Sequence, residues 1–156
     1  MDIENHYPLY MDVHVMIYVG FGFLMVFLKS YSWTAVGLNY LIASWSLLWC
    51  ILTSAFWNEV CEQYSIGHTP FVKFQIDLKE LIFLAEFGAG AVLITFGALL
   101  GKCNVFQLWI IASIEVMFYS MNYAILAYIF GTLDIGGAMT IHTFGAYYGL
   151  TTTWFF

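Results

Sequence analysis

Five stretches of this chain are each long and apolar enough to cross a lipid bilayer, and a soluble fold has no way to hide them all. A hydrocarbon core about 30 Å thick takes roughly 20 apolar residues in helical form. The segments predicted here run about 11–28, 33–57, 78–100, 105–130 and 135–156. In "LIFLAEFGAGAVLITFGALL" (81–100) the only charged side chain is Glu86. Across the chain 9% of residues are charged, against about 25% in a soluble domain. A β-barrel would need strands that alternate apolar and polar with period two, and these segments are apolar nearly throughout. The expected fold is all-α: a polytopic transmembrane bundle of five helices.

The connections fit that reading. "KSYS" (29–32), "GKCN" (101–104) and "GTLD" (131–134) are short, so the helices they join pack antiparallel. Residues 58–77, with Gly67, Pro70 and charges of both signs, are expected to form one long solvated loop. Lys29 and Lys102 fall on one membrane side and Lys73 and Lys79 on the other, a tie on the positive-inside count. Asp2, Glu4, Glu59, Glu62, Asp77 and Asp134 all fall on the side of the long loop.

Several classes of function are set aside. The chain has no Arg and no basic cluster, so a nucleic-acid surface is not expected. Cys50, Cys61 and Cys103 lack metal spacing and read as buried or lipid-facing thiols. The first residues, acidic and polar, lack the basic n-region of a signal peptide, and no N-glycosylation sequon occurs. There is no nucleophile elbow, HExxH or P-loop. No catalytic residue, metal or cofactor is therefore expected. "GALLG" (Gly97, Gly101) and "GAYYG" (Gly145, Gly149) are spaced to let two helix backbones approach in lipid.

The informative residues are the polar ones at membrane depth, where a charge costs about 2.5–3.5 kcal/mol on insertion scales. These are Glu86, Glu115, Asn122, Asp134 and His142. His142 would lie about seven residues into the fifth helix, roughly 10 Å deep at ~1.5 Å per residue. There it is expected to be buried and uncharged, with one ring nitrogen donating and the other accepting. It can bond a neighbouring helix or line a narrow polar path. Asp134, ahead of two glycines, can accept from the unpaired N–H groups of the helix start and complement its dipole. Asp134 also places negative charge at the mouth of any path near His142, where a cation would be drawn. Phe87, beside Glu86 in the outer half of the third helix, offers an aromatic face that can attract a cation or simply pack. Glu115 and Asn122 share a helix face and read as an interhelical hydrogen-bond seam.

Particular stretches resemble a known family. "YPLYMDVHVMIYVGFGFLMVFL" (7–28), "AVGLNYLIASWSLLW" (35–49), "FGALLGK" (96–102) and "GGAMTIHTFGAYYGL" (136–150) are similar to the Rh glycoprotein branch of the ammonium transporter family. The resemblance runs from about Tyr7 to the end of the chain. It implies a trimeric channel for ammonia or ammonium in the plasma membrane, each subunit holding one pore in two inverted five-helix repeats. Residues 1–156 would be a fragment holding the first repeat, without the family's extra N-terminal helix. The second repeat would supply a partner histidine and a second gating phenylalanine. Carried over to this chain, His142 falls on the first pore histidine, Phe87 on the outer gating phenylalanine, and Asp134 on the supporting aspartate. Tyr123 stands where many members carry an acid, which implies a less negative vestibule. Two other functions fit the same residues: a non-transporting membrane scaffold, and a CO2 channel.

Overall fold

A computed structural model of the chain describes residues 3–27, 30–67 and 78–156. The described residues form five helices and no strand. The first is α-helical over Ile3–Val15, widens to a π turn over Met16–Gly20 and resumes over Phe21–Val26. The second is one unbroken helix, Ser32–Ile66, and the third is Leu78–Leu99. The fourth runs Val105–Ala124 and ends in a π turn, Ile125–Ile129. The fifth opens with a π turn, Ala138–Thr143, and continues as Phe144–Thr153. Four of the five are long and apolar enough to span a membrane: Tyr7–Val26, Ser32–Ile66, Glu80–Leu99 and Val105–Ile129. The fifth is shorter than a bilayer core, about 24 Å at ~1.5 Å per residue.

Local chemistry sets the ends. The second helix outruns its apolar stretch because 58–66 contains no Gly or Pro. It stops at Gly67, whose φ of +79° only glycine adopts without strain. Residues 58–66 are therefore helix rather than the loop expected from their polarity; 68–77, with Pro70 and Lys73, lie outside the described residues. Lys29 lies outside them as well. The fourth helix begins with a capping box: Asn104 Oδ1 accepts from Gln107 N–H at 2.8 Å, and Asn104 N–H donates to Gln107 Oε1 at 2.9 Å. The fifth helix starts three residues later than its apolar stretch, because Gly136 and Gly137 sit at φ +84° and +70°. The first helix starts earlier than expected, at Ile3, and carries Pro8 inside it.

The third helix is the hub. Leu81, Leu84, Ala85, Ala89, Ala91, Val92, Leu93, Phe96 and Leu99 are buried on it, and the other four helices all pack against it. The second helix presents a small, polar face inward: Ala35, Asn39, Ala43, Ser46, Cys50, Thr53 and Ser54 are buried. Small residues let helices approach where lipid gives no hydrophobic drive. On the fourth helix Ser120 Oγ meets Thr53 Oγ1 at 2.8 Å and Ser54 Oγ at 3.0 Å. Trp45 and Trp49 donate their indole N–H groups to Ser113, at its Oγ (2.8 Å) and its carbonyl (3.0 Å). Large apolar side chains such as Leu24, Leu48, Phe106 and Leu150 face outward, as suits a lipid solvent.

The two glycine pairs have different fates. A Cβ on Gly145 would lie 2.6 Å from the Ala91 carbonyl oxygen, and one on Gly149 3.2 Å from Thr95 Cα. These two seat the fifth helix on the backbone of the third. Gly97 instead meets the Met25 side chain, and Gly101 lies past the helix end at φ +81°, under Tyr31. Gly145→Ala must push two backbones apart, and overpacking of this kind costs about 1–3 kcal/mol. Gly37→Ala, with nothing within 4 Å of the new methyl, is expected to be neutral or to gain up to about 1 kcal/mol of helix propensity. Thermal denaturation of the two variants in detergent micelles checks this contrast.

Candidate functional site

The fifth helix cannot start without help, because its first N–H groups have no partner one turn back. Asp134 supplies it. Its Oδ2 accepts the N–H of Thr140 (2.8 Å), the hydroxyl of Thr140 (2.9 Å) and the N–H of Met139 (3.0 Å). The Thr140 amide, foremost, holds the Asp134 carboxyl below the usual aspartate range, with the Thr140 hydroxyl and the Met139 amide adding to it. The chain reaches back this far only because two left-handed glycines intervene; a methyl on Gly137 would collide with the Ile141 side chain. The amides of Ile141 and His142 then both point at the Gly137 carbonyl, each at 3.0 Å. This wide π turn carries His142, and such turns concentrate at functional sites.

One face of the fifth helix, with Ile141, Gly145 and Gly149, is buried on the third. The opposite face is open, and His142 is exposed on it with Met139, Thr143, Tyr147 and Leu150. This corrects the expectation of a buried imidazole: His142 has no side-chain hydrogen bond among the described residues, and its helix begins at Ala138. A cavity of about 610 Å³ lies between the first, third and fourth helices and the start of the fifth. Phe87, Asp134 and His142 all line it, together with Ile17, Tyr119 and Tyr123. The structure thus brings the three sequence-derived residues to one cavity. Phe87 is half-buried in its wall.

Glu86 is not available there. It is fully buried, and its Oε1 lies 2.6 Å from His14 Nδ1 on the first helix. Its Oε2 has no partner among the described residues. The acid beside Phe87 therefore points into the bundle and pairs with an imidazole. His14 was not anticipated as a functional residue. Its signal was a four-residue spacing: the rings of Tyr10, His14 and Tyr18 lie tilted against one another along one helix face, with centroids 5.5 and 4.3 Å apart. Glu115 does join a seam, through Thr95 Oγ1 at 2.5 Å, whereas Asn122 lines a separate outward groove beside Tyr147 and Tyr148.

Fold and cavity define a multi-pass helical membrane protein with a partly polar cavity set among its spans. Residues 2–156 match the sequence model of the Ammonium Transporter Family, and the chain belongs to that family. It is 47% identical over 156 residues to "Ammonium transporter Rh type B" of Oryzias latipes, covering 97% of this chain and 32% of that relative. The mouse protein of the same name is 47% identical over 148 residues, covering 95% of this chain and 30% of the relative. "Ammonium transporter Rh type C" of the dog is 42% identical over 157 residues, covering 98% and 32%. The chain thus spans about a third of the length of these curated relatives.

Two outcomes are expected. Asp134→Asn weakens the acceptor at the helix start, so the Met139 and Thr140 amides exchange hydrogen faster. Because the folded carboxyl is held below its unfolded range, its contribution is complete above about pH 5. It is lost as pH falls through the lowered folded value, and Asp134→Asn abolishes that acid-side dependence. For the buried pair, His14→Ala leaves the Glu86 carboxyl without its partner, at a cost of about 1–3 kcal/mol for an unsatisfied buried polar group. The double variant His14→Ala/Glu86→Gln is expected to be more stable than His14→Ala alone, as measured by chemical denaturation in micelles.

Proposed function

We propose that residues 1–156 form the first of two inverted five-helix repeats of an Rh-type channel that moves ammonia or ammonium across the plasma membrane. The observation that carries this reading is the position of His142: exposed on the open face of the fifth helix, at the rim of the cavity that Phe87 walls. An imidazole turned outward on a membrane helix has no partner of its own and calls for one from a facing element. A second repeat, completing the pore and its trimer, supplies such an element. The curated relatives, about three times as long, support it.

The chemistry favours an uncharged substrate in the narrow part of the path. NH4+ is strongly hydrated, and removing that water without replacement is costly. A neutral imidazole offers one donor and one acceptor, enough to pass NH3 from site to site without holding a fixed charge. A proton left at the entrance then separates ammonium from K+, which has none to give. Asp134 serves by position: with Oδ2 committed to three donors, it fixes the turn that presents His142. Phe87 narrows the entry. The family orientation puts the chain start and the 58–77 segment outside, with Lys29 and Lys102 inside.

The test joins residues 1–156 to the remaining two thirds of the Oryzias latipes relative and follows uptake into proteoliposomes. His142→Ala is expected to cut methylammonium uptake at least roughly tenfold, the factor carried by one hydrogen bond of about 1.4 kcal/mol, at unchanged insertion. Unchanged uptake removes His142 from the path. CO2 flux without ammonia flux would make the protein a gas channel, and neither flux would make it a scaffold.

A further inference from the structure

Glu115 sits in the middle of a membrane-spanning helix with a fully buried side chain and no cationic partner among the described residues. Its Oε1 lies 2.5 Å from Thr95 Oγ1 on the third helix. Its Oε2 has no partner among the described residues. Thr95 Oγ1 lies in turn 3.0 Å from the carbonyl oxygen of Gly145 on the fifth helix. Three residues from three helices thus stand in one line.

That line has a hydrogen-counting consequence. A threonine hydroxyl carries one hydrogen, so it cannot donate to the carboxyl of Glu115 and to the carbonyl of Gly145 together. Both contacts are hydrogen bonds when the carboxyl brings a hydrogen of its own. Glu115 then donates to Thr95 Oγ1, and Thr95 donates to the Gly145 carbonyl. The line ends at a tight approach of the third and fifth helices, since a Cβ on Gly145 would lie 2.6 Å from the Ala91 carbonyl oxygen. His142 is three residues away on the same helix, so a slide or rotation at Gly145 moves the imidazole with it.

We propose that Glu115 is a positioning residue for His142: a neutral carboxylic acid that acts through Thr95 on Gly145 and so sets the depth and rotation of the fifth helix. This assignment rests on the transport reading for its effect on flux, and it makes no use of a negative charge. Glutamine, which keeps a donor of the same length, should replace Glu115. Alanine, which keeps none, should not. Serine should replace Thr95, and valine should not.

The experiment uses the joined transporter described above. Its infrared spectrum in neutral buffer is expected to show the carbonyl stretch of a protonated carboxylic acid that Glu115→Gln abolishes. Glu115→Gln and Thr95→Ser are expected to keep methylammonium uptake within about twofold. Glu115→Ala and Thr95→Val are expected to lose about tenfold in maximal rate, the scale of one buried hydrogen bond left unmade, with KM little changed. The double variant Glu115→Ala/Thr95→Val should be no worse than either alone, since both cut one network. Absence of the acid band, or a Glu115→Gln defect as large as that of Glu115→Ala, overturns the proposal. So does normal uptake by Glu115→Ala, or a rise in KM at unchanged maximal rate. If His142→Ala transports at the parent rate, it is the transport reading that has failed. The infrared band and amide exchange at Gly145 and Gly149, faster in Glu115→Ala but not in Glu115→Gln, then decide the Glu115 assignment alone.

Discussion

The bundle depends on one approach: the backbone of the fifth helix lies on that of the third, with Gly145 against Ala91 and Gly149 against Thr95. Lipid gives helices no hydrophobic reason to associate, so close van der Waals contact and interhelical hydrogen bonds must hold them. Any side chain larger than hydrogen at Gly145 would meet a carbonyl oxygen. Because this seam is fixed, the opposite face of the fifth helix is fixed too, and that face carries His142.

Several of the buried polar side chains tie helices together. His14 and Glu86 join the first to the third, and Thr95 and Glu115 join the third to the fourth, while the partly exposed Asp134 closes the start of the fifth helix. Thr53, Ser54 and Ser120 join the second to the fourth. Each bond is modest, about 0.6 kcal/mol on average between membrane helices, yet a polar group left alone in hydrocarbon costs several times more. The buried carboxyls therefore specify which helices meet and in what register. The cavity holding Phe87, Asp134 and His142 is the space left between helices pinned in this way.

The helices were legible in the sequence because lipid makes charge costly, and each span is apolar nearly throughout. Their ends were not, because hydropathy ceases to report on helicity once the chain leaves the membrane. Residues 58–66 are polar and still helical, held until Gly67 ends the second helix. The late start of the fifth helix was written in Gly136–Gly137, two adjacent residues that a right-handed helix has no use for. Resemblance to a family pointed to His142, Phe87 and Asp134, and the fold gathers them at one cavity. His14 with Glu86 could not be read: the two are 72 positions apart, and only packing decides which faces meet. The same is true of the glycine pairs, where spacing alone does not separate "GAYYG", which seats a helix, from "GALLG", which straddles a helix end.

The most direct measurement is an ammonium titration of the joined transporter, with imidazole nitrogens labelled and followed by NMR. If His142 faces the substrate path, its nitrogen resonances shift saturably with ammonium while those of His14, held on Glu86, stay fixed. A His142 signal indifferent to ammonium, or one that moves no more than that of His14, contradicts the account.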